Sequence, residues 1–162
     1  MSGTKQRPKA GGGRTAKKRQ VVGWREWVGL PELGIEEIKA KIDTGARTST
    51  LHAFDIVPVE ENGQKFVRFR IHPVQRRRLP EVECTAPLVD RRTIRDSGGK
   101  TEYRYIVRTK LRIGERSWPI ELTLTNRDEM SFRMLVGRAA IRKRFIVHPG
   151  TSFRTGRRQR RD

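Results

Sequence analysis

From Val21 to Phe145 apolar residues recur mainly at every second position, the spacing of strands that bury one face. Ile38, Ala40 and Ile42 alternate with Lys39 and Lys41, and Phe69 and Ile71 with Arg68, Arg70 and His72. Tyr105, Val107, Thr109, Leu111 and Ile113 continue the pattern against Arg108, Lys110 and Arg112. Gly114-Glu115-Arg116 reads as a hairpin turn into Trp118, Ile120, Leu122 and Leu124. Pro31, Pro58, Pro73, Pro80, Pro87 and Pro119 punctuate the chain and argue against long helices. One short helix is predicted over residues 138 to 144, with a single turn near Glu36. No internal repeat is present. The pattern predicts a mostly β fold, a small closed or sandwiched barrel.

Length then limits the answer. At 162 residues and 34% hydrophobic content the chain supports one compact core, which excludes a two-lobed enzyme. Charge changes the picture more: 37 Lys and Arg against 18 Asp and Glu give +19. Residues 1–20 and 151–162 carry +7 and +4 of this, leaving +8 for the middle. Lacking apolar periodicity, both ends are predicted as disordered basic tails flanking one domain over residues 21–150. The first stretch lacks the apolar segment of a signal peptide, and no run is long enough to span a membrane. A lone thiol, Cys84, suits a reducing compartment, so a cytoplasmic protein is expected.

The candidate chemistry sits where the strand Ile38 to Ile42 runs into Asp43-Thr44-Gly45-Ala46, before apolar residues resume at Leu51 and Ala53. Two carboxyls held close together cannot both ionise, so one acts as base while the other, protonated, polarises a carbonyl. Asp43 is the candidate carboxylate. Thr44 can lock the loop through its hydroxyl, and Gly45 leaves room for a substrate or a second chain. Asp-Thr-Gly is also ordinary turn chemistry, but Met134-Leu135-Val136-Gly137-Arg138 supplies an apolar strand ending in Gly before a short helix.

Together these two halves resemble the retropepsins, in which the second strand threads beside the active-site loop. The resemblance implies a small closed acid-protease β-barrel with one short C-terminal helix. A closer likeness is to bacterial proteins often called ATP-dependent zinc proteases, now viewed as retropepsin-like and associated with glutamate-adding ATP-grasp ligases. It runs from about residue 22 to 148 through Gly23-Trp24-Arg25-Glu26-Trp27-Val28, Leu30-Pro31-Glu32-Leu33-Gly34-Ile35, Ile38 to Ser49, and Trp118 to Met130.

The resemblance implies an aspartic peptidase whose second carboxylate is another copy of Asp43 in a homodimer. It also implies a flap over residues 91 to 105 with Gly98-Gly99 at its tip, giving Ala46, Arg47, Gly98, Gly99 and Arg138 as substrate-binding candidates. Asp96-Ser97-Gly98 is preceded by Arg95 instead of an apolar strand, so Asp96 reads as a turn residue. Arg47 stands where retroviral enzymes carry an acid that pairs with the Arg matching Arg138, so Arg138 needs another partner or faces ligand. Arg47 and the +8 core favour acidic peptides, in line with glutamate-rich tails, for instance on a ribosomal protein.

No cofactor or metal is expected. His52, His72, His148 and Cys84 have none of the spacings of a zinc site, and no Gly-x-x-x-x-Gly-Lys-Ser/Thr run binds a nucleotide. A zinc-dependent protease and a non-enzymatic RNA- or ribosome-binding protein are the alternatives. Basic tails and Arg76-Arg77-Arg78 form an electrostatic footprint for RNA, but without interleaved aromatics the predicted contact is weak and unselective.

Overall fold

The computed structural model describes residues 19 to 156 except 96–97 and 128–130. The described residues form eleven strands: β1 (Gln20–Val22), β2 (Arg25–Leu30), β3 (Ile35–Asp43), β4 (Ser49–His52), β5 (Phe54–Glu61), β6 (Gln64–Ile71), β7 (Val82–Arg95), β8 (Thr101–Ile113), β9 (Arg116–Thr125), β10 (Met134–Gly137) and β11 (Phe145–Val147). A four-residue helix, α1 (Arg138–Ile141), follows β10.

Six strands close a barrel in the order β2-β3-β10-β4-β9-β8, the last pairing back onto β2, while β7, β6 and β5 extend the sheet outward. This is the mostly β barrel that the alternation predicts. Strand accounts for 61% of the structure. The inward phase is the apolar one: Ile38, Ala40 and Ile42 of β3, Val107, Leu111 and Ile113 of β8, and Leu122 and Leu124 of β9 are all buried. Among the described residues no helix is long and apolar enough to cross a membrane.

Four local expectations are corrected. The helical turn lies at Pro31–Leu33, where Pro31 fixes the first position and Gly34, at φ 77°, ends it; Glu36 is part of β3. The helix stops at Ile141. Pro58, Pro87 and Pro119 stand within strands, Pro58 on the edge strand β5, where a missing N–H costs the ladder nothing. The domain also exceeds residues 21–150 at both ends. Gln20 already pairs with Phe145, and residues 151 to 155 are tied to β2. The rest of the two basic tails, residues 1–18 and 157–162, lies outside the described residues.

Glu26 is why the second edge moves. It shares the inward phase of β2 with Val28 and Leu30 and is fully buried, so its carboxylate must find donors inside the protein. It accepts hydrogen bonds from the N–H groups of Gly23 (2.6 Å), Arg154 (2.8 Å) and Thr155 (3.1 Å) and from Thr155 Oγ1 (2.9 Å). Phe153 stacks on Trp27 at 5.7 Å between centroids, and Arg25 lies between Trp24 and Phe153. A Cβ on Gly23 would run into the backbone of Thr151. Glu26→Gln presents an amide N–H₂ to donors that need an acceptor. It is expected to cost about 3 kcal/mol in urea denaturation, and to speed tryptic cleavage after Arg154.

Candidate active site

β3 delivers Asp43 to a polar loop, and three contacts hold that loop. Asp43 is half-buried and its Oδ1 accepts the Gly45 N–H at 3.1 Å; the Ala46 N–H reaches Asp43 O at 3.2 Å. The third contact comes from β10, which inserts parallel to β3 and antiparallel to β4, setting Gly137 opposite Asp43. The Gly137 N–H donates to Ser49 Oγ (3.0 Å), Arg138 N–H to Ala46 O (2.8 Å) and Ala139 N–H to Arg47 O (3.0 Å). The start of α1 therefore grips the far side of the loop.

The two glycines of the site differ physically. A Cβ on Gly137 would lie 2.5 Å from both C and O of Thr48 and 2.8 Å from Arg47 O, so only glycine lets these backbones pass. A Cβ on Gly45 would meet only Asp43 Oδ1, at the ordinary distance of 3.4 Å. Nothing described within the chain excludes a side chain there, so any steric demand on Gly45 comes from outside it.

Asp43, Thr44, Gly45, Ala46, Arg47 and Arg138 thus meet in one cluster. The Arg138 partner is the backbone: its Nη1 donates to Thr44 O at 3.3 Å, which makes it a brace for the loop. Thr44 and Gly45 are exposed. Gly98 and Gly99 lie in the β7–β8 turn, with Gly99 at φ 86°, a conformation few side chains tolerate. Asp96 lies outside the described residues.

Sequence reasoning missed two residues here. Arg92 of β7 and Arg144, beyond α1, join Arg47, Trp118 and Glu121 around a cavity of about 330 Å³, so the hairpin and the aspartate loop share a wall. Arg144 lies over the Trp118 ring at 4.8 Å, and Trp118 Nε1 donates to Ala140 O. Among the described residues no carboxylate comes within ion-pair distance of Arg47 or Arg144, whereas Arg92 reaches Asp90 at 3.4 Å. Neither arginine carries a sequence signal that separates it from ordinary solvated charge.

The candidate zinc ligands are engaged separately. His52 Nδ1 accepts the Arg127 N–H, His148 Nδ1 accepts the Gly150 N–H, and His72 Nε2 lies 3.5 Å from Glu81. Cys84 is buried with its thiol toward Leu33 O; that burial, helped by the charge of Glu83, pushes its pKa up to about 12, so it stays a thiol and a poor metal ligand. Among the described residues no three His, Cys, Asp or Glu side chains form a metal cluster.

A barrel that carries an aspartate at a strand end, with a glycine-tipped strand threaded beside it, defines a retropepsin-like protein. The chain belongs to the RimB-like family, described as "Retropepsin-like aspartic endopeptidase RimB", which matches residues 21–158. It is 46% identical over 139 residues to a probable alpha-L-glutamate ligase of Parasynechococcus marenigrum and 43% identical over 138 residues to one of Desulfotalea psychrophila. These matches take in 86% and 85% of the chain but only 30% of each relative's length. A Legionella pneumophila protein of unknown function has a similar crystal structure, with TM-score 0.70, 26% identity and coverage of 85% of this chain and 99% of that one.

Proposed function

We propose that the chain is an aspartic endopeptidase acting as a homodimer on acidic, glutamate-rich peptides. The observation that carries this reading is the half-buried Asp43 carboxylate, held by Gly45 and braced from β10 and Arg138, in a loop that supplies only one acid. A twofold axis at the loop would bring a second copy beside it. The ionised Asp43 takes a proton from water as the water oxygen bonds to the peptide carbonyl carbon. The partner's Asp43, protonated, hydrogen bonds to the carbonyl oxygen. As the tetrahedral species collapses, the proton passes to the amide nitrogen and the C–N bond breaks. The β7–β8 hairpin, with Gly98-Gly99 at its tip, would close over the peptide.

Arg47, Arg92 and Arg144, which outnumber the one acid Glu121 around the same cavity, support acidic side chains as the ligand, and Ala46, in the aspartate loop, would meet the substrate backbone. The ligase name of the relatives does not carry over, because the matched part is 30% of their length. It does keep glutamate in view as a substrate, glutamate-tailed ribosomal proteins included. The lone buried thiol suits a cytoplasmic setting.

The test compares a glutamate-tailed peptide with its glutamine counterpart. Cleavage of the acidic peptide is expected to be at least about tenfold faster at low salt, with the gap closing as salt rises and in Arg47→Glu. Equal rates would remove the acidic specificity. Loss of activity with a chelator would restore zinc, and cleavage by a strictly monomeric protein would contradict the shared carboxylates.

A further inference from the structure

The folded domain has a second basic cavity, of about 470 Å³, built at the far end of β4 from the aspartate loop. Its wall combines Arg76, Arg77 and Arg78 with Arg133, Asn126 and the rings of Phe54 and His72. The three consecutive arginines project from a tight turn in which the Arg77 N–H bonds to Val74 O and Arg76 takes a positive φ of 66°. Gln75 Nε2 donates to Ser131 O and pins that turn against the segment leading into β10. The arginines are therefore set on a defined frame.

Four arginines line this space, and among the described residues Glu81, which contacts the lining His72, is already committed. Glu81 pairs with Arg70 at 2.9 Å and with His72 at 3.5 Å. Arg133 is held through its carbonyl, which accepts the His52 N–H, yet its Nε is buried with no hydrogen-bond partner. A buried donor without an acceptor is costly and marks a place where an anionic oxygen would be welcome. The aromatic wall is equally specific: the Phe54 and His72 rings lie 4.5 Å apart, and both reach the cavity.

We infer that this cavity binds single-stranded RNA, with the Arg76–Arg78 turn and Arg133 on successive phosphates and a base packed against Phe54 and His72. The sequence places Phe54 more than twenty residues from the arginine run, so the aromatic it lacks locally is supplied by the fold. A glutamate-rich peptide satisfies the arginines but leaves the ring wall and the Asn126 amide unused. A nucleotide engages all three.

The test uses the full chain and a short fluorescent oligoribonucleotide, with binding followed by anisotropy against salt. One variant carries Arg76→Ser, Arg77→Ser and Arg78→Ser. A charge-matched control carries Arg157→Ser, Arg158→Ser and Arg160→Ser in the C-terminal tail. Phe54→Leu removes the ring without changing charge. The cavity triple variant is expected to bind at least about tenfold more weakly than the tail variant, with the salt slope reduced by roughly 2, and Phe54→Leu several-fold more weakly than the parent. Circular dichroism verifies that each variant is folded, and Arg76 to Arg78 lie largely at the surface, so the triple variant should be. Equal losses in the cavity and tail variants would overturn the site. Displacement of RNA by oligoglutamate, with Phe54→Leu without effect, would overturn RNA in favour of an acidic-peptide exosite. Peptidase activity, assayed separately, is expected to be unchanged in the triple variant, so this inference and the peptidase reading fail independently.

Discussion

Asp43→Asn is expected to lower peptidase activity by roughly a thousandfold or more while leaving the fold and its urea midpoint in place. The amide retains an oxygen where Asp43 Oδ1 accepts the Gly45 N–H, so the loop keeps its closing hydrogen bond. What disappears is the ability to take a proton from water. In a dimer the substitution also removes the repulsion of two like carboxyls, so association near neutral pH is expected to hold or tighten by sedimentation. Activity that survives in a well-folded Asp43→Asn protein would remove the aspartic mechanism altogether.

Gly137→Ala is expected to be strongly destabilising for a single added methyl. Overpacking a core usually costs about 1–3 kcal/mol because side chains can shift. Here the new Cβ meets backbone atoms of Thr48 and Arg47, and β10 is hydrogen bonded on both flanks, so the strand cannot move without opening a ladder. A loss above about 3 kcal/mol is expected, read as poor soluble yield or a much lower denaturation midpoint. Gly45→Ala is the matched control, since its Cβ makes only an ordinary contact: it should fold normally, and any loss of activity then reports on substrate or partner approach. Equal stability of the two variants would refute the threading argument.

The barrel was largely legible because most of its strands bury one face. β3, β8 and β9 alternate over most of their length, as does β6 in the outer sheet, and the apolar residues in phase are buried. Asp43 and Gly137 could be paired beforehand only by resemblance, since no local pattern says that β10 will insert between β3 and β4. Glu26 did leave a trace: a carboxylate in phase with Val28 and Leu30 had to be either exposed by a register break or buried with donors. Three of its four donors come from residues 154 and 155, inside a stretch whose arginines made it look solvated throughout. The same limit hid Arg92, Arg144 and the Phe54–His72 wall, which acquire meaning only from neighbours distant in sequence.

The threading of β10 also sets an order of events during synthesis. The bonds that lock the aspartate loop, from Gly137 to Ser49 and from Arg138 to Thr44, join residues 88 and 94 positions apart. Contacts of that span close late, after the intervening hairpins have shortened the loop between them. A nascent chain that has emerged only as far as β9 already carries Asp43 and its local turn but lacks the β10 and Arg138 contacts that brace the loop. Such a fragment has the aspartate without its braced loop, so the proposed hydrolytic centre is assembled only when nearly the whole domain has left the ribosome.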